Sequence, residues 1–499
     1  MKYLLLVTAL PLLGSLVVAF VPRTKPQLAK VIALLVSLIV LGFAVATWFA
    51  FDPHGPRMQL QESYSWIPAW DANFSFAVDG IALVMIALTA LLVPIVMIAS
   101  WQDLDNSGRR SVPAYFALLL ALEGTMLGTF TSSDVLLFYV FFEVMLVPMY
   151  FLIGTFGQDV PTKQRQYAAV KFFLYSLVGG LIMLAAVIGL WVVGGHTFDW
   201  QKLVDGSIDP NVARWLFLGF FLAFAIKAPF FPFHTWLPDA GGAAPAGAAA
   251  LLVGVMDKVG TFGILRYCLP LFPEASKYFA PLAIALALVG IVYAALLAVG
   301  QKDLKRLVSY TSIAHFGFIG IGIFAFSSLQ AGSGAVLYMV NHGLATGLLF
   351  LVVGMLVVRR GSTLVTDFGG AGKMLPILAG VLFFAGMASL ALPGLAPFVS
   401  EFLVLIGVFT VNKTVAVIAT VGIILAACYV LWMVQRTTQG TLNPALATVD
   451  GMKRDISTRE MVVVGPLIAL LLVLGFYPQP VLDVITPAVQ ATFTHVEGK

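Results

Sequence analysis

Charge is scarce in this chain. Asp, Glu, Lys and Arg make up 10% of its 499 residues, hydrophobic residues make up 60%, and mean hydropathy is +0.98. A soluble globule cannot coat itself from that composition. Cysteine is nearly absent. Cys268 and Cys428 fall in or at the edge of apolar runs, in no metal-ligand pattern, which argues against a disulfide framework and a cysteine-held iron–sulfur cluster. No phosphate-binding glycine loop and no nucleophile elbow are present; LALPGLAP and GLATG are glycine-rich because helices pack closely or bend there. The net charge of +4 comes with basic residues that flank apolar runs, so no nucleic-acid partner is expected. The runs are apolar on every face, unlike the alternation of an outer-membrane barrel. The chain therefore reads as an all-α polytopic membrane protein, and the run after Lys2, with no small-residue cleavage site, as its first span.

Run length predicts about fourteen spans at roughly 20 residues per crossing. They cover 4–20, 28–51, 75–100, 112–131, 134–156, 167–194, 211–240, 244–269, 279–300, 303–326, 332–358, 374–411, 414–437 and 461–485. The seventh and twelfth are too long for one straight helix, reaching roughly 45 Å and 57 Å against a core of about 30 Å. Both carry breakers: Pro229 and Pro232 in one, Pro393, Gly394 and Pro397 in the other. Helices broken at membrane depth survive only where protein or a wet cavity receives the freed backbone groups.

Loops after odd-numbered spans hold 18 Lys and Arg, Arg109 and Arg110 among them; the other loops and termini, with Lys2 and Lys499, hold 8. That asymmetry predicts both termini on the outer side. Of the 28 basic residues, Lys227 and Lys258 are left inside the bilayer. A weak repeat also runs through the chain. Asp134 and Asp303 each open a span 169 residues apart, Ala169-Val170 and Ala335-Val336 are 166 apart, and Pro229-Phe230 and Pro397-Phe398 are 168 apart. Five spans per copy is an odd number, which predicts an inverted repeat with sites at the broken helices. The expected division is 1–111 (spans one to three), 112–269 (first repeat), 279–437 (second, inverted repeat) and 438–499 (the C-terminal segment with the last span).

The organising stretch is 225–258, AIKAPFFPFHTWLPDAGGAAPAGAAALLVGVMDK, which opens and closes on a lysine. A lysine at mid-bilayer costs about 2.5–3.5 kcal/mol, so two beside a broken helix point to an ion or proton path. Glu143 lies in FYVFFEVMLVPMY, with Pro148 five residues on able to open the helix beside it. Its candidate partner is Lys227; the competing reading is a static ion pair or a bond to a backbone carbonyl. Asp257 precedes Lys258, and neighbours on a helix point about 100° apart, so the two need not pair. Glu123, in LLALEGTMLG, is either a further relay acid or a packing residue bonded to Thr125 or a neighbouring span. His315 and His342 suit proton relay, since imidazole both donates and accepts near neutrality. Two histidines on separate helices, without a third ligand, do not make a metal site. Glu401 follows the second break, while His234 and Asp239 at the first read more simply as anchors of the kink.

FFEVMLVPMYFLIG, IKAPFFPFHTWLPDA, the span-eight lysine followed by a glycine, VNHG and LPGLAPFVSEF together resemble the antiporter-like family of respiratory complex I and Mrp-type cation/proton antiporters, over nearly the whole chain. The chain ends soon after span fourteen, so the relative with a long lateral helix beyond that point is the poorer match. The resemblance implies a proton-pumping membrane-arm subunit of NADH:quinone oxidoreductase that binds no cofactor itself, with NADH, flavin, iron–sulfur clusters and quinone on other subunits. Its partners would be other membrane-arm subunits, especially antiporter-like chains, and the lipid of a bacterial inner membrane. The family pattern assigns Glu143 to modulating Lys227, Lys258, His315 and His342 to linking two half-channels, and Glu401 to the exit side. Two departures stand out: AGGAAP follows Asp239 where the pattern has a histidine and an acid, and Asp257 is not part of it. The alternatives are an Mrp-type sodium/proton antiporter subunit and a membrane scaffold with static ion pairs.

Overall fold

The computed structural model describes residues 3–102, 111–157 and 161–498. Lys2, Arg109, Arg110 and Lys499, four of the residues behind the predicted orientation, lie outside the described residues. The chain is a polytopic helical membrane protein. Its helices are α1 (Tyr3–Ala19), α2 (Pro26–Ala50), α3 (Gly80–Ala99), α4 (Val112–Thr131), α5 (Val135–Phe156), α6 (Thr162–Val193), α7 (Pro210–Lys227), α8 (Leu237–Ala243) and α9 (Ala246–Leu271). They continue as α10 (Pro273–Val299), α11 (Leu304–Ile323), α12 (Leu329–Arg360), α13 (Pro376–Ser389), α14 (Ala396–Val411), α15 (Lys413–Thr438), α16 (Thr458–Phe476) and α17 (Gln479–Gly498). Among the described residues eleven helices are long and apolar enough to cross a membrane, or twelve if a pair bent by 118° around α13 counts as one span. α1 and α14 are apolar but shorter, and α11, with Lys305 and Arg306 in its first turn, falls outside the count.

The bundle has an inside and an outside. The most apolar windows of α9 and α12 are wholly buried, whereas only 33% of that of α2, α15 or α16 is. Outer helices bury one stripe and leave Leu, Val and Phe for lipid; the two central ones carry Lys258 and His342 among protein atoms.

Both predicted breaks are present. α7 stops at Lys227, ahead of Pro229 and a cis Phe231–Pro232 bond, and the chain resumes as α8. The freed carbonyls find donors: Phe230 N–H bonds Ala225 O at 2.8 Å and the Trp236 indole bonds Ile226 O at 2.9 Å. The second break separates α13 from α14 across Ala391 and Gly394, both at positive φ, a conformation glycine adopts without penalty.

Two fasteners match in detail. Around Asp134, Val135 N–H bonds Phe198 O (2.9 Å) and Trp200 N–H bonds Ser133 O (3.1 Å). Around Asp303, Leu304 N–H bonds Thr363 O (2.9 Å) and Val365 N–H bonds Lys302 O (2.8 Å). Each aspartate also caps the helix it opens, accepting from Leu137 and Arg306 N–H at 2.9 Å.

Three findings depart from the sequence reading. Residues 59–78 form an antiparallel hairpin, β1 (Gln59–Ile67) and β2 (Ala72–Val78). The expected last span, 461–485, is cut at Pro478 into α16 and the separate helix α17, since proline cannot donate to the preceding turn. Burial of basic residues is not confined to Lys227 and Lys258. Lys30, Arg266 and Lys305, assigned to loops by sequence, are buried: Lys30 donates to Trp101 O (2.6 Å), Lys305 donates to Ala244 O (2.7 Å), and Arg266 is ion-paired with Asp79 (2.8 Å).

Candidate functional site

Glu143 lies just before an irregular turn in α5. Pro148 cannot donate to the carbonyl of Val144, and the regular helix lapses at Met145. Its carboxylate packs against Gly180 of α6, where any side chain would collide with it, and Oε1 is buried with no hydrogen-bond partner. Val144, Val147 and Phe151 beside it are exposed, so Glu143 stands at the edge of the bundle.

Lys227, the last residue of α7, is 1% exposed and its ammonium has no hydrogen-bond partner. It lies over the rings of Phe142 (5.2 Å) and Phe172 (5.6 Å). The contact ion pair with Glu143 is not formed. Two carboxylates, Glu143 and Asp257, lie within its electrostatic reach.

Lys258 lies between two π-helical segments of α9, Leu252–Met256 and Ile264–Cys268. Such segments release backbone carbonyls from the regular ladder. Its Nζ donates to Val253 O and lies 2.7 Å from His342 Nδ1. The His342 ring meets that of His315 edge-on at 5.2 Å, and the His315 ring stacks on Tyr338 at 5.8 Å. Tyr338 donates a 2.6 Å hydrogen bond to Glu401 Oε2, and Tyr429 OH lies 3.5 Å from His315 Nε2. The predicted residues Lys258, His342, His315 and Glu401 thus lie on one buried line, completed by two tyrosines that sequence reasoning did not single out. One signal was available: Tyr338 stands four residues before His342, on the same face of α12.

The remaining candidates separate. Asp239 is bonded by Lys171 (2.7 Å) and Arg306, tying α8 to α6 and α11 as an anchor of the kink. His234 rests between the rings of Phe231 and Tyr293, its Nδ1 buried without a partner. Glu123 is fully buried with both oxygens unpartnered; Thr125 bonds the carbonyls of Ala121 and Leu122, so the bond to Thr125 offered by the packing alternative is absent. Both Asp257 oxygens are likewise unpartnered. Among the described residues no three His, Cys, Asp or Glu side chains gather as a metal site.

A line of buried donors and acceptors on a helical membrane bundle is chemistry for moving an ion, and relatives narrow the class. Residues 132–426 match the family profile described as NADH:quinone oxidoreductase/Mrp antiporter, TM. The fold is similar to a chain of respiratory complex I from Thermus thermophilus (28% identical, 99% of each chain, TM-score 0.88) and to a chain of the Mrp complex from Dietzia sp. DQ12-45-1b (22% identical, 99% of each chain, TM-score 0.88). The chain is 48% identical to NADH-quinone oxidoreductase subunit M of Mycobacterium tuberculosis, over 97% of this chain and 93% of that protein. It belongs to the NADH-quinone oxidoreductase subunit M family.

Proposed function

We propose that this chain is a proton-translocating membrane-arm subunit of an NADH:quinone oxidoreductase in a bacterial inner membrane, moving protons along Glu143, Lys227, Lys258, His342, His315 and Glu401. The observation that carries the reading is the buried line from Lys258 through the two histidines and Tyr338 to Glu401. Proton transfer needs donors and acceptors within hydrogen-bond reach or one water apart, held in a site that excludes bulk solvent. A change in the charge of Glu143 at the bundle edge alters the field at Lys227, whose proton then moves inward. The electron-transfer chemistry, with NADH, flavin, iron–sulfur clusters and quinone, sits on other subunits. The exposed apolar edge beside Glu143 is where a neighbouring membrane-arm chain, antiporter-like itself, exerts its influence.

The bundle is organised as fourteen crossings with both termini outside. Two inverted repeats, 112–269 and 279–437, are flanked by 1–111 and 438–499. The matched fasteners at Asp134 and Asp303 and the two broken helices support this division. In purified complex, Glu143→Gln and Lys227→Ala abolish quinone-linked proton pumping while assembly persists; full pumping in either variant sinks the reading. A second reading, an Mrp-type sodium/proton antiporter subunit, is supported by the equal fold match to the Mrp chain. Purification in mild detergent separates the two: redox subunits accompany the chain in the first case, small antiporter chains in the second.

A further inference from the structure

The proposed path is open on both sides of Lys227, toward Glu143 at the edge and toward Lys258 at the centre. Lys258 touches His342, but nothing bonds Lys227, and no side-chain contact links the two lysines. Asp257 is placed at the gap between the two lysines. Helix α9 presses its backbone on the end of α7: a Cβ added at Gly260 would meet Phe224 O at 2.5 Å and Ala228 N at 2.6 Å. Asp257 precedes Gly260 by three residues, so both lie on one helical face, directed at the end of α7 where Lys227 sits. The carboxyl is fully buried, neither oxygen has a partner, and both lysines fall within its electrostatic reach. A buried acid with no bonding partner is costly to keep for packing alone, and Asp257, unlike Glu123, has two buried lysines near it.

We propose that Asp257 is the relay carboxyl between Lys227 and Lys258, and that the Lys227 ammonium alternates between Glu143 at the edge of the bundle and Asp257 at its centre. When Glu143 loses its negative charge, Lys227 turns inward. One proton passes from the Lys227 ammonium to the Asp257 carboxylate, leaving a neutral amine and a carboxylic acid. The acid then gives that proton to the neutral amine of Lys258, which regains its ammonium and restores the Asp257 carboxylate. Lys258 is positioned to hand the proton on to His342 Nδ1. The inference rests on the proton-relay reading above and adds a carrier to it.

The test uses the whole complex in proteoliposomes, measuring protons moved per NADH oxidised for Asp257→Asn, Asp257→Ala, Asp257→Glu and Lys227→Ala. Asp257→Asn and Asp257→Ala assemble and lose as much pumping yield as Lys227→Ala, while Asp257→Glu recovers yield. A carboxylic-acid C=O band that appears in infrared difference spectra during turnover is missing in Asp257→Asn, a loss that a purely structural role would not produce. Wild-type yield in both Asp257→Asn and Asp257→Ala, with yield lost in Lys227→Ala, overturns the Asp257 assignment alone. Wild-type yield in Lys227→Ala overturns the relay itself and this inference with it. Failure of both Asp257→Asn and Asp257→Ala to assemble makes the carboxyl structural and overturns the proposal.

Discussion

The phenol of Tyr338 donates its proton to Glu401 Oε2 at 2.6 Å while its ring lies against the imidazole of His315. The hydroxyl bonds one proton carrier while the ring packs against the other, so Tyr338 sits between His315 and Glu401. Tyr338→Phe keeps the ring and removes the bond. Removing the donor leaves Glu401 Oε2 unpaired in a buried site, at a cost of about 1–3 kcal/mol, so both the thermal midpoint and the pumping yield should fall. Assembly and NADH oxidation by the redox subunits should be retained. Unchanged yield would remove Tyr338 from the path.

Gly260 sets the distance between α7 and α9. The atoms its Cβ would meet are backbone, Phe224 O and Ala228 N, and backbone cannot swing aside. Gly260→Ala therefore wedges the helices apart, at about 1–3 kcal/mol of strain. We expect a lower thermal midpoint for the assembled complex and a larger loss of pumping than of assembly, because Lys227 retreats from Asp257. Gly465, around which a Cβ meets nothing within 4 Å, is the control: Gly465→Ala should change neither.

Glu123 sits in α4 with no partner for either oxygen. Leaving a buried polar group unsatisfied costs about 1–3 kcal/mol. Glu123→Leu should raise the thermal midpoint and leave pumping yield unaltered. Loss of yield in this variant would bring Glu123 into the relay.

Outside the membrane, at the turn of the hairpin, Asp71 accepts from Thr197 Oγ1 at 2.6 Å and from Lys202 Nζ at 3.0 Å. The Thr197 hydroxyl, aided by Lys202, holds the Asp71 carboxyl below its usual range. A depressed folded-state value means that the contribution is present above the unfolded value near 4 and is lost as pH falls through the folded one. Solvent screening keeps the effect small, since the Asp71 side chain is 42% exposed. Trp70 next to it is exposed, and its fluorescence should report loosening of the hairpin only below about pH 4. In Thr197→Val the onset moves to higher pH; an onset unmoved by that substitution would discount the hydroxyl.

Much of the candidate site was legible because a charge inside an apolar run is costly and therefore conspicuous. Lys227, Lys258 and Glu143 stand out that way, and Pro229, Pro232, Pro393 and Pro397 marked both breaks because proline cannot sustain the helical ladder. Tyr338 and Tyr429 did not stand out, because a tyrosine among leucines and valines reads as one more large side chain until its hydroxyl has a partner. Arg266 and Lys305 were misassigned for the opposite reason: near the end of a run a cation is usually solvated, and only the fold supplies Asp79 and Ala244 O to receive it. The hairpin carried a period-two signal in Leu60, Tyr64 and Trp66, obscured by its setting between two long apolar runs.

The paired fasteners at Asp134 and Asp303, separated by five passes of the chain, bear on electrogenicity. In the inverted arrangement proposed above, the voltage across the bilayer acts on corresponding charge movements in the two halves with opposite sign, at about 2.3 kcal/mol per elementary charge per 100 mV. Displacements common to both halves cancel electrically. Net work against the voltage is then done by the transported proton itself, which keeps its full charge through both halves.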